Sequence, residues 1–105
     1  MEKKLKRLNE IPKIVKLDLT GCESLSEIHE RIRKAFDFPD WYGKNWDAFW
    51  DLLSFECDAD KVEIFGEYTL SHKFDKYLKM IHKILDRMVK TCAKWGELFE
   101  YEIIN

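Results

Sequence analysis

Two aspartates, Asp47 and Asp51, stand four residues apart in the run DWYGKNWDAFWDLL, Asp40–Leu53. On a helix, side chains at i and i+4 approach to about 5–6 Å at Cβ, so the two carboxylates can act together. The chemistry open to them is acid–base catalysis, as in sugar hydrolases, or recognition of a cationic partner. An acid–base pair needs a cleft that holds the two groups at different pKa values. On a helical wheel Trp46, Phe49, Trp50 and Leu53 form one face, with Trp50 at its border. Asp47 and Asp51 fall together on a different, exposed arc with no predicted apolar pocket, which disfavours the hydrolase.

Like charges one turn apart are mildly unfavourable in an isolated helix. A cationic partner would remove that cost. Ribonuclease active sites use Lys, Arg and His to hold a phosphodiester. A rigid helix with two carboxylates offers such a site the charges that phosphates would offer, and an Arg fork accepts a carboxylate in bidentate fashion. The neighbouring aromatic rings supply desolvated contact area.

Other chemistry is poorly supported. The four glycines form no GxGxxG or GxxxxGK pattern. His29, His72 and His82 lack HExxH spacing and read as surface or boundary residues rather than metal ligands. Cys22, Cys57 and Cys92 are odd in number and widely spaced, as expected of small thiols in a reducing compartment. No cofactor and no metal are expected.

The elements that must position the acidic pair follow from periodicity. Ile14–Leu19 alternates like a half-buried strand. Ser24 is a candidate N-cap, with Glu27 completing a capping box, before Leu25, Ile28, Ile32, Ala35 and Phe36 recur at helical spacing. Pro39 stops that helix or lies just past its end. Asp40–Lys44 reads as a loop in which Gly43 suits a turn, and Asn45 can cap a second helix, Trp46–Ser54. A polar break at 57–60 precedes a short strand, Val62–Phe65, closed by Gly66. Glu67–His72 reads as a short helix or turn. Phe74–Lys94 is a long amphipathic helix capped by Gly96, and Leu98–Ile104 is a final strand. Strands separated by helices imply a parallel sheet.

Composition fits one domain of 105 residues, 46% hydrophobic and 36% charged. Residues 14–105 form the expected domain. Residues 1–13 form a basic extension, read as a frayed tail or an added helix carrying Leu5 and Leu8. That N-terminus lacks an apolar core segment, so a signal peptide is not expected, nor is a membrane span; the expected location is the cytosol. The net charge of −2 is unevenly spread: residues 1–16 carry +4, 17–68 carry −8 and 69–105 carry +2. An acidic middle favours a cationic partner over direct contact with nucleic acid.

FPDWYGKNWDAFWDLL, Phe38–Leu53, resembles the signature of the barstar family of ribonuclease inhibitors. Tyr42, Gly43, Asn45, Asp47, Ala48, Trp50, Asp51 and Leu53 fit it as they stand. The resemblance implies a two-layer α/β fold, a three-stranded parallel sheet with helices packed against it. It implies an immunity protein, monomeric when free, that plugs the active site of a secreted or toxin-type ribonuclease. Asp51 would be the main phosphate mimic and Asp47 a second charged contact, with Trp41, Tyr42 and Trp50 packed around them. Trp41, Tyr42, Gly43, Asn45, Asp47, Trp50 and Asp51 are therefore the expected partner-binding set, Gly43 serving backbone conformation and Asn45 capping. Trp41 replaces the usual Tyr. Phe55 lies where relatives can carry a contacting Trp loop, and Asp86 is the candidate for a late acidic contact. Two alternatives stay open: a non-inhibitory module that binds another basic protein through the same face, and a small hydrolase using Asp47 and Asp51.

Overall fold

The computed structural model describes residues 12–56 and 58–105. The tail or helix expected over the first ten residues lies outside them, as does Cys57. Pro12 and Lys13 are described. Lys13 is tied to the domain: its N–H donates to Asp60 Oδ2 at 2.8 Å and its Nζ lies 2.6 Å from Asp58.

The chain runs β1 (Ile14–Asp18), α1 (Leu25–Phe36), α2 (Trp46–Glu56), β2 (Lys61–Phe65), two short 3-10 turns (Glu67–Thr69 and His72–Phe74), α3 (Asp75–Lys94) and β3 (Glu100–Ile104). The three strands form one parallel sheet in the order β1-β2-β3. This is the expected two-layer α/β architecture.

Register explains the alternating sequence. Val15, Val62 and Tyr101 align across the sheet, as do Leu17, Ile64 and Ile103. Val15, Leu17, Val62 and Ile64 are buried in one core with Ile28 and Ile32 of α1, Phe49 and Leu53 of α2, and Ile81, Leu85 and Met88 of α3. The opposite face carries Lys16, Glu63 and Glu102 in one row, and Lys61 Nζ sits 3.0 Å from Glu102. Parallel sheets are commonly covered on both faces and read as continuous apolar runs. Here only one face is buried under the helices, so burial alternates along β1 and β2.

The helix ends show why these segments stop where they do. Ser24 Oγ accepts from Glu27 N–H at 3.1 Å, as expected of the capping residue. The Glu27 carboxylate reaches back one residue beyond the cap, to Glu23 N–H at 2.8 Å. At the end of α3, Gly96 N–H donates to the Ala93 carbonyl and Glu97 N–H to the Cys92 carbonyl, with Gly96 left-handed at φ 74°. Those two bonds satisfy carbonyls the helix leaves open. Gly66 is also left-handed, at φ 86°, and a Cβ there would collide with the Thr20 backbone, so β2 can leave the sheet only through glycine.

Several boundaries shift. β1 ends at Asp18, yet Leu19 stays buried and its N–H donates to Phe65 at 2.8 Å. β3 begins at Glu100 because Leu98 is exposed and unpaired in the ladder. α3 begins at Asp75, with Phe74 closing a 3-10 turn, and α2 continues past Ser54 to Glu56. Cys22 and Cys92 are buried thiols. No helix among the described residues is long and apolar enough to cross a membrane.

Candidate functional site

The loop between α1 and α2 is fixed from below by aromatic packing. Phe38 and Tyr42 are both buried, with ring centroids 5.5 Å apart, and Phe38 stacks on Phe36 at 5.3 Å. The Tyr42 hydroxyl lies 2.7 Å from His29 Nδ1. The His29 ring in turn tilts against Trp46, the first residue of α2, at 4.4 Å. His29 therefore connects α1, the loop and α2 through one imidazole.

That position corrects the reading of His29 as a surface or boundary residue: it is 1% exposed. The signal was in the helical spacing, since His29 follows Leu25 by four and precedes Ile32 by three, on the apolar stripe itself. Its Nε2 is buried and has no hydrogen-bond partner among the described residues. A protonated ring would have to bury a second, unmatched N–H. Burial, aided by the nearby Lys44 ammonium, lowers its pKa to about 4. Burial likewise pushes the Tyr42 phenol above its ordinary value.

The rim of the loop is held by ions. Arg33 bonds Glu30 at 2.8 Å and Asp40 at 3.3 Å, and Lys44 lies 3.5 Å from Glu30. Hydrogen bonding from Arg33, then its charge and that of Lys44, lower the Glu30 carboxyl to about 2. The residues with positive φ in this loop are Asp37, at 57° where α1 ends, and Lys44, at 53°, and not Gly43. Space is tight at Gly43 instead: a Cβ there would stand 3.2 Å from Asn45 Nδ2, the amide that bonds back to the Gly43 carbonyl, and 3.4 Å from Ala48 Cβ. Asn45 is the helix cap, its Oδ1 accepting from Ala48 N–H at 2.8 Å while its Nδ2 donates to the Gly43 carbonyl at 3.3 Å.

On this platform the expected residues separate into two groups. Tyr42, Gly43 and Asn45 build the loop, and the Tyr42 side chain is turned into the core. Trp41, Asp47 and Asp51 face solvent, Trp41 being 71% exposed. No ion pair or hydrogen bond among the described residues engages the Asp47 or Asp51 carboxylate. Trp50 is half-buried, with the Arg87 guanidinium 4.0 Å above its ring. Phe49 and Leu53 are core, as their wheel position implies, and Trp46 is half-buried.

Two features escape a reading of the sequence alone. Phe55 continues the ridge of Asp47 and Asp51 at the same four-residue interval and is 70% exposed. Between α2 and α3 lies an open groove of about 460 Å³, walled by Trp46, Asp47 and Trp50 on one side and by Lys83, Arg87 and Lys90 on the other. Asp86 lines this groove too, and its Oδ1 accepts from the Tyr101 hydroxyl at 2.7 Å. No cluster of three or more His, Cys, Asp or Glu side chains among the described residues is arranged to hold a metal.

Comparison with known proteins matches residues 13–103 to the family described as Barstar (barnase inhibitor). The chain is also similar to a Bacillus subtilis (strain 168) protein named "Putative ribonuclease inhibitor YrdF". They are 33% identical over 58 residues, 55% of this chain and 64% of the relative, so the match spans less than two thirds of that protein.

Proposed function

This chain belongs to the Barstar (barnase inhibitor) family, and on that premise we propose that it is a stoichiometric inhibitor of a microbial ribonuclease. The observation that carries the proposal is the pair of solvent-facing carboxylates, Asp47 and Asp51, on one ridge of a helix whose position is fixed in advance. Asp51 enters the enzyme's cationic cleft as a phosphate mimic, and Asp47 makes a second, more peripheral contact. Trp41, Trp50 and Phe55 shield these charges from water, which strengthens pairing with Arg and Lys. Tyr42, Gly43 and Asn45 act indirectly, by holding the loop and the start of α2.

Inhibition of this kind needs no cofactor. The protein occupies the active site and turns nothing over. It acts as a free monomer in the cytosol against a guanyl-specific or related ribonuclease, of a secreted or toxin type, for which it serves as the immunity protein. Attraction between the acidic ridge and a basic cleft speeds association and makes it sensitive to salt.

The test is an RNA-cleavage assay with increasing amounts of the full chain against a panel of guanyl-specific microbial ribonucleases, barnase among them. Linear loss of activity to an equivalence point near one-to-one is expected for the enzyme it recognises. Absence of inhibition across the panel, with capture of a basic protein that is not a nuclease, would replace the reading by a non-inhibitory binding module. Hydrolytic turnover by the chain alone, abolished in Asp47→Asn, would replace it by an enzyme.

A further inference from the structure

The solvent face of α3 carries a second charged surface, of opposite sign to α2. Lys76, Lys79, Lys83, Arg87, Lys90 and Lys94 are all exposed. At about 100° and 1.5 Å per residue they fall within an arc of about 80° and extend about 27 Å along the helix. None of the six has a carboxylate within ion-pair distance among the described residues. Cations spaced three and four apart repel one another along a helix. Lys83, Arg87 and Lys90 also wall the groove whose other side is Trp46, Asp47 and Trp50. The positive stripe is thus continuous with the acidic site, one helix spacing of about 8–10 Å away.

We propose that this stripe and groove receive an acidic segment of the same protein partner that α2 engages. The partner then carries a row of carboxylates beside its cationic cleft, about one helix spacing from it, and these pair with Lys83, Arg87 and Lys90. The one-partner element rests on the ribonuclease reading; the preference for an acidic peptide segment does not. Two observations favour a peptide over nucleic acid. A single strand gains much of its affinity from bases stacked on open aromatic faces, whereas the Trp50 ring in this groove is already covered by Arg87 at 4.0 Å. A long polyanion would also run against Asp47 and Asp86 in the groove and Asp51 on the adjoining ridge, while a folded protein can present each sign where it is needed. The apolar floor, Met80 and Ile84 with the two tryptophans, suits the aliphatic parts of a peptide.

The experiment is an NMR titration of the ¹⁵N-labelled full chain at about 20 mM and about 150 mM salt. The probes are a nine-residue peptide in which Glu alternates with Leu and Ala, and nonauridylate. The peptide is expected to shift the amides of residues 83–90 and the Trp50 indole N–H, with an affinity that falls as salt rises. The triple variant K83E/R87E/K90E should bind at least tenfold more weakly, and Lys83→Glu alone severalfold more weakly with an unchanged fold. The proposal is overturned if the peptide shifts neither set, if the variants bind it as well as wild type, or if nonauridylate binds this stripe more tightly than the peptide. No nuclease takes part, so this result can fail while inhibition stands, and inhibition can fail while this result stands.

Discussion

His29 should make stability depend on pH in a window where few other groups titrate. Its ring is buried and neutral, with Nδ1 engaged by Tyr42 and Nε2 unmatched. The folded pKa of about 4 lies below the ordinary 6.5. A base whose pKa is depressed on folding binds fewer protons folded than unfolded. Its neutral form is therefore favoured by the fold, and stability is full above pH 6.5 and falls as pH drops toward 4. Integrating the linkage between those two values gives a loss of about 2 kcal/mol between pH 7 and pH 5, rising toward about 3 kcal/mol near pH 4.

Urea unfolding of wild type and His29→Gln at half-unit steps from pH 5 to 7.5 measures this directly. Gln keeps a polar group beside Tyr42 but cannot titrate. His72 and His82 are present in both chains, and their contribution cancels in the difference. Wild type should lose about 2 kcal/mol more than the variant across that range. Parallel pH curves for the two proteins would refute the placement of His29 as the buried neutral link between α1, the loop and α2.

Four further substitutions probe the other parts of the construction. Asp51→Ala should raise the inhibition constant by about two to four orders of magnitude, the roughly 3–5 kcal/mol typical of stripping one partner from a desolvated ion pair. Asp47→Ala, at the rim, should raise it only severalfold; tight-binding inhibition kinetics with the recognised ribonuclease distinguish the two, and equal effects would contradict the assigned roles. Asn45→Ala should cost about 1 kcal/mol of stability through loss of the cap, seen as faster hydrogen exchange at Ala48 N–H. Gly66→Ala should lower stability by about 2–4 kcal/mol, because left-handed backbone and contact with the Thr20 main chain both oppose a methyl group, and an unchanged urea midpoint would argue against that contact.

The fold was legible in the sequence wherever burial imposes a period. Val15 and Leu17 alternate because only one sheet face is covered, and α3 repeats every three to four residues because one stripe meets the core. The caps at Ser24, Asn45 and Gly96 were equally legible, being local chemistry with strong residue preferences. What failed depended on tertiary contacts. α2 runs past Ser54 because its last turn continues an exposed ridge, and an exposed Phe55 carries no burial period to mark it as helical. A turn role suited Gly43 by type, but the left-handed backbone falls on Lys44, while Gly43 is crowded by Ala48 and Asn45. His29 lies on the apolar stripe by its spacing, while its polarity alone points to the surface. The Arg87–Trp50 contact joins residues 37 positions apart, and no local pattern announces it.

The distribution of acids around the site explains why Asp47 and Asp51 in particular are available. Glu30 and Asp40, on α1 and in the loop, are taken up by Arg33 and Lys44. Those pairs, with the Tyr42–His29 contact beneath, hold the loop before any partner arrives. Asp47 and Asp51 sit on the next element, in no ion pair with those cations among the described residues, and face solvent where an outside group can meet them. A carboxylate presented on a prefixed helix loses little conformational freedom on binding, so more of its attraction is expressed as affinity. Weakening the loop and removing the charge should therefore be separable. Tyr42→Phe, which removes the His29 contact without changing charge, should raise the inhibition constant while leaving the salt dependence of association near that of wild type, whereas Asp51→Ala should raise the inhibition constant and also weaken the salt dependence.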